Sequence, residues 1–159
     1  MIQAFTESTI IGYISTLDNR IDTSVDISNI RYLVKFINDM DGSISYAYSD
    51  NTTYLERFTK LGFFYNLTPN VYESKVNLLP AGHWKYEVYE VSWIGTPDVS
   101  SGSAPSTETD VLPVRIDNGV VQGIVTKGIL NLTERVGTEQ VQYTEHESPE
   151  GTNTIYYGQ

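Results

Sequence analysis

Cysteine is absent from this chain of 159 residues, which removes disulfide scaffolds, thiolate metal sites and cysteine nucleophiles together. Positive charge is scarce: ten Lys and Arg stand against twenty Asp and Glu, a formal net charge of −10. Nucleic-acid surfaces need clustered Lys and Arg to meet phosphates, and no such cluster occurs, so no nucleic-acid partner is expected. No run approaches the roughly 20 apolar residues of a membrane span. The first residues, Met1-Ile2-Gln3-Ala4-Phe5-Thr6-Glu7, lack the basic start and apolar stretch of a signal peptide. The expectation is a protein made and folded in a cytoplasm, with no membrane contact.

Histidine is almost missing as well. His83 and His146 sit far apart in sequence, neither in a metal-ligand spacing. Glu145-His146-Glu147 could hold a divalent ion only weakly, because adjacent residues of a strand point to opposite faces. Asp39-x-Asp41-Gly42 echoes part of a calcium loop, but the later positions of that loop are missing and a hairpin turn explains the same residues. There is no Gly-x-Ser-x-Gly elbow, no phosphate-cradling loop and no dinucleotide fingerprint. No catalytic, metal-binding or cofactor-binding residue is assigned, no cofactor is expected, and the chain is read as a non-enzyme.

What the chain does have is strands. Its 40% hydrophobic content includes 12 Tyr and 2 Trp, enough for one core. The most informative run is Trp84-Lys85-Tyr86-Glu87-Val88-Tyr89-Glu90-Val91-Ser92-Trp93. Side chains alternate across a strand, so Trp84, Tyr86 and Val88 share one side while Tyr89, Val91 and Trp93 share the other. Such a strand packs on both faces. Residues 9–16, 29–37 and 43–49 also read as strands, the last two joined as a hairpin through Asn38-Asp39-Met40-Asp41-Gly42. Residues 55–66 form either one strand bent at Gly62 or follow a short helical turn at 53–59, and residues 71–79 form a short strand. Residues 111–116 and 120–125 flank Asp117-Asn118-Gly119, a second hairpin signal, and the latter strand continues to Leu132 with a bend at Gly128. A final pair is expected at 140–145 and 154–157. The fold class that follows is all-β, a single-domain β-sandwich spanning residues 1–159, Ig-like in shape.

Between Gly95 and Asp110 the composition turns small and polar, with Ser, Thr, Gly and Pro. This predicts a long flexible loop inserted in the one domain. Trp93, beside that loop, is a candidate partner contact. So are Ile155, Tyr156 and Tyr157, an aromatic terminal stretch that reads either as an edge strand or as a segment given to a neighbour. Tyr and Trp exposed in a row would instead suit a carbohydrate-binding module.

The stretch Val76-Asn77-Leu78-Leu79-Pro80-Ala81-Gly82-His83-Trp84-Lys85-Tyr86-Glu87-Val88-Tyr89-Glu90 resembles a strand of small structural proteins of tailed bacteriophages. Lys127-Gly128-Ile129-Leu130 and Glu139-Gln140-Val141-Gln142-Tyr143-Thr144-Glu145 extend the likeness, which runs in pattern over residues 28–145. The resemblance implies an all-β virion component, most nearly an auxiliary capsid (decoration) protein. Its partners would be the major capsid protein or other virion subunits, with self-association in the particle. A head-to-tail connector or tail-associated protein is the neighbouring alternative. The family pattern carries no catalytic or cofactor residues, and the long Ser/Thr/Pro segment departs from its tighter members.

Overall fold

Two β-sheets account for the regular structure, and the alternation of apolar residues explains how they face each other. The computed structural model describes residues 1–55 and 57–135. The first sheet contains β1 (Ile2–Phe5), β3 (Ile30–Asn38), β4 (Ile44–Tyr48), β8 (Gly82–Ser92) and β9 (Val120–Thr133), in the order β1-β9-β8-β3-β4. The second contains β2 (Ile10–Ile14), β5 (Asp50–Tyr54) and β6 (Thr59–Tyr65) in the order β2-β6-β5, with β7 (Lys75–Val76) running parallel to the end of β6. The fold is an all-β sandwich. Among the described residues the only helical pieces are single 3-10 turns at Leu17–Asn19, Ile27–Asn29 and Val71–Glu73.

The hairpin of β3 and β4 has the expected register, with Val34 opposite Ala47 and Phe36 opposite Ser45. Its turn is built by side chains. Asn38 Oδ1 accepts from the Met40 amide at 2.7 Å, and Asp41 Oδ1 accepts from the Ser43 amide at 2.9 Å. Gly42 supplies the left-handed position, φ 72°, which other residues adopt only with strain. These groups close a hairpin, as the turn chemistry of residues 38–42 predicts.

β8 is covered on both sides, again as its alternation predicts. Trp84, Tyr86 and Val88 enter the core between the sheets, with Tyr32, Val34 and Phe36 from β3 and Ile10, Ile14, Leu61 and Phe63 from the second sheet. Phe36 meets Phe63 edge to face across the layers, centroids 5.2 Å apart, a favoured geometry for aromatic pairs. Leu33, Tyr48, Val91, Trp93 and Ala104 form a smaller core on the opposite face. Each fully buried large side chain stabilises the fold by about 1.5–3 kcal/mol. The molecule therefore has a third, irregular layer over half of the first sheet.

That third layer is built largely from residues 95–110. The segment has no regular strand, but it is fastened down: Ala104 and Pro105 are buried, and the Tyr48 hydroxyl donates to the Pro105 carbonyl at 2.7 Å. The Ala104 amide closes a turn onto the Ser100 carbonyl at 2.9 Å. Small side chains allow this close approach, and a low count of apolar residues does not prevent it, because Tyr48 and Trp93 bring the apolar surface from beneath.

Some expectations change. Residues 55–66 are neither one bent strand nor a helical turn, but the connection from β5 followed by β6, closed by the Leu55 amide on the Phe58 carbonyl at 2.8 Å. Residues 71–79 hold a 3-10 turn and a two-residue strand. β9 does not bend at Gly128; an added Cβ there would lie 2.6 Å from Tyr86 Cζ, so this glycine makes room for the facing ring. The irregularities of β9 lie opposite Val88/Tyr89 and Glu90/Val91, where extra residues form bulges. β1 was not foreseen; it pairs parallel with residues 130–133 of β9. The proposed strands at 140–145 and 154–157 lie outside the described residues.

Candidate partner interface

Trp93 is not a surface residue. It has 0% relative exposure, and its indole Nε1 donates to the Asp117 carbonyl at 3.1 Å. Gly119 lies against the ring, where an added Cβ would come 2.6 Å from Cζ2. The strand end that places Trp93 beside the irregular segment also places it beneath that segment, so it anchors the third layer and presents nothing to a partner. Trp84 is buried too, its Nε1 donating to the Pro80 carbonyl at 3.1 Å. Ile155, Tyr156 and Tyr157 lie outside the described residues.

The third layer is tied to the first sheet by a half-buried charge network that sequence reading missed. Lys35 Nζ on β3 meets Glu108 Oε1 at 2.5 Å, and the Tyr46 hydroxyl on β4 donates to Glu108 Oε2 at 2.5 Å. Glu87 on β8 stands 4.0 Å from Lys35 and accepts from the Tyr89 hydroxyl at 2.7 Å. Burial alone would raise the Glu108 pKa, but hydrogen bonds from Lys35 and Tyr46 hold it below its ordinary value. The hydrogen bond to Glu108 holds Lys35 above its own. Burial pushes the Tyr46 and Tyr89 hydroxyls up. Lys35 and Tyr46 thus hold the segment through Glu108, while Glu87 and Tyr89 pair with each other on β8 beside Lys35. No local pattern announces this, because Lys35 and Glu108 are far apart in sequence.

A second polar cluster closes one end of the sandwich. Glu90 is fully buried, and its carboxylate accepts from the backbone amides of Ile21 at 3.1 Å and Asp22 at 2.8 Å. Asp22 in turn accepts from the Ser92 hydroxyl at 3.1 Å, and Ser92 accepts from Gln122 at 2.8 Å. The hydrogen bond from Ser24 leads in holding the Asp22 carboxyl below the usual carboxylate range. The group that should be costly inside a protein is here the clamp for the loop after β2.

Among the described residues, strands carry exposed apolar side chains. On the second sheet Ile11, Tyr13 and Phe64 alternate with core residues and face outward. On the uncovered half of the first sheet Phe5, Ile44 and Ile129 do the same. A further exposed set lies elsewhere: Val111, Val114, Ile116 and Ile94, at 89, 87, 70 and 68%. Residues 111–116, expected as a hairpin strand against β9, instead form an arm that pairs with no strand among the described residues. Asn118 explains the difference, because its Nδ2 donates to the Pro113 carbonyl at 2.6 Å and its amide to the Arg115 carbonyl at 3.4 Å.

A cleft of about 530 Å³ beside the third layer is lined by Arg31, Tyr48, Asp50, Tyr54 and Tyr72. Its polar groups are largely engaged: Arg31 Nη1 donates to the Ser28 and Ile30 carbonyls, and the Tyr54 hydroxyl donates to Ile30 at 3.2 Å. Burial pushes the Tyr54 hydroxyl up to about 12. Tyr13 is the only tyrosine exposed among the described residues. His83 is exposed at the start of β8, His146 lies outside the described residues, and Asp39 pairs with Lys85 at 2.6 Å. Among the described residues no three His, Asp or Glu side chains converge on a point where an ion could sit.

No protein-family model matches this chain, and no curated protein matches it. Among solved structures it is similar to a protein named as a putative glycoside hydrolase from Bacteroides vulgatus ATCC 8482, with a TM-score of 0.39 and 10% identity. The likeness covers 85% of this chain and 17% of that one, so the chain spans a small part of that protein's length. A likeness that weak bears on neither activity nor substrate.

Proposed function

We propose that this chain is a structural component of a tailed-phage particle, an auxiliary capsid protein that docks on the shell and reinforces it without catalysis. The strand pattern from Val76 to Glu90 is the source of the phage reading. The observation that supports docking is the surface: apolar side chains stand out on both sheets and along residues 111–116, while the charged clusters around Lys35 and Glu90 are turned to internal work. Apolar, strand-borne surface of this kind suits protein partners. A carbohydrate-binding module is the weaker reading, since both tryptophans are in cores and cannot stack on sugar rings.

The test is the copy number of this chain in particles purified from the phage that carries it, measured by quantitative mass spectrometry. Copies in the hundreds support a shell protein, since symmetric shells repeat each site many times. About a dozen copies would move the chain to the head-to-tail junction or the tail. Absence from particles sinks the virion reading.

A further inference from the structure

Among the described residues one segment of strand-forming sequence and one sheet edge lack a strand partner, and each has what the other lacks. The first is the arm at residues 111–116. Its sequence, Val-Leu-Pro-Val-Arg-Ile, has strand character, yet Leu112 and Val114 make no backbone hydrogen bond within the described residues. The second is an open sheet edge. Among the described residues β1 covers β9 only at residues 130–133, so from 120 to 129 β9 is paired there on the β8 side alone. Val120, Ile124 and Ile129 are exposed along that stretch.

The two do not meet within one molecule, for a reason visible in the turn between them. Asn118 holds the Pro113 and Arg115 carbonyls, Gly95 donates to the Ile116 carbonyl at 3.0 Å, and Gly119 donates to Ser103 at 2.8 Å beneath Trp93. The turn is locked to the third layer and cannot fold the arm back along β9.

We infer that the pairing is made between molecules: residues 111–116 of one copy add as a strand to the free edge of β9 in a second copy of this chain. Pro113 fits this arrangement. In an extended strand successive residues direct their backbone groups to opposite sides, so Pro113 and Arg115 face Asn118 while Leu112 and Val114 face outward. The missing N–H of proline then costs no bond, which is where proline is tolerated in sheets. On β9 the two bulges blunt the edge nearer residue 120, leaving the regular stretch at 126–129, in line with β1, to receive the arm. Two such additions about a twofold axis would close a dimer. The like charge of the copies, −10 each, opposes this at low ionic strength and is screened at physiological salt.

The proposal names the self-association that the virion reading leaves unspecified, and it rests on that reading only for its biological setting. It is tested on the full chain by sedimentation velocity over a concentration series at physiological salt. The expected result is a monomer–dimer equilibrium that strengthens with salt. Val114→Pro deletes one outward donor on a residue that touches no core, and it should weaken dimerisation about tenfold or more with an unchanged melting temperature. Because the chain has no cysteine, mixing a Val114→Cys copy with a Lys127→Cys copy and adding a short bis-maleimide should join unlike copies. A wild-type chain that stays monomeric throughout, or a Val114→Pro chain that dimerises as well as wild type, overturns the proposal. Presence in particles as isolated monomers would overturn it while leaving the virion reading intact, and a dimer absent from particles would do the reverse.

Discussion

Replacing Glu90 by Gln is the sharpest test of how this sandwich is closed. The carboxylate has no exposure to water and accepts two backbone amides, Ile21 at 3.1 Å and Asp22 at 2.8 Å. Hydrogen bonds to a charged group contribute about 1.5–3 kcal/mol each, roughly twice a neutral bond. Gln keeps the shape and one acceptor, but its amide nitrogen would point a donor at a donor. One charged bond is lost outright and the other is weakened, so we expect a loss of about 2–4 kcal/mol. With a urea slope of about 1–3 kcal/mol/M for a domain of this size, the midpoint should fall by roughly 1–2 M. Equilibrium urea unfolding followed by tryptophan fluorescence reads this directly, since Trp84 and Trp93 are both buried. Desolvating a carboxylate is itself costly, and an apolar replacement can offset that cost. Glu90→Leu should nevertheless remain destabilised, because the Ile21 and Asp22 amides lose their acceptor. If Glu90→Gln unfolds within about 0.5 kcal/mol of wild type, the clamp is not holding the loop and the reasoning fails.

Glu108→Gln should loosen the third layer, costing about 1–2 kcal/mol, visible as faster amide exchange across residues 95–110. The Glu108 pKa is lowered on folding, so its contribution is full above the ordinary value of 4.5 and is lost as pH falls through the depressed value. The Lys35 pKa is raised from 10.5, so its contribution is full below that and is lost as pH rises through the raised value. Stability measured against pH should therefore show an acid limb that Glu108→Gln flattens. Gly119→Ala drives a methyl to 2.6 Å from Trp93 and should cost about 1–3 kcal/mol in a thermal melt, by overpacking. Trp93→Ala should lose about 3–5 kcal/mol as a core truncation, with assembly failing only as far as folding does.

Where the sequence could be read, it was read through alternation. β8 and the β3–β4 hairpin show a period of two because each strand separates two environments, and the Asn38 to Gly42 turn carries its own chemistry. The third layer was not legible. Its polar, small residues look like a free loop, and only the distant Tyr48, Lys35 and Trp93 make it a cover. Asp117-Asn118-Gly119 is a real turn, but its amide groups are taken by Pro113, Arg115 and Ser103, so the hairpin it advertises is not made. β1 is four residues long with no turn signal of its own, and its partner lies at the far end of the described chain. The site suffered the same way: Trp93 was legible as an aromatic at a strand end, while the arm at 111–116 was legible as a strand without its exposure.

The parallel pairing of β1 with residues 130–133 of β9, secured by the Thr6 amide on the Thr133 carbonyl at 2.8 Å, also sets an order of events during synthesis. Among the described elements Ile2, Gln3, Ala4 and Phe5 leave the ribosome before the rest, yet the strand that receives them is made last. At about 5–20 residues per second, translation keeps β1 waiting on the order of ten seconds. During that time the hairpin of β3 and β4, whose contacts are local, can form, while the first sheet still lacks its edge. The nascent chain thus carries a strand whose backbone partner among the described elements exists only once β9 is complete.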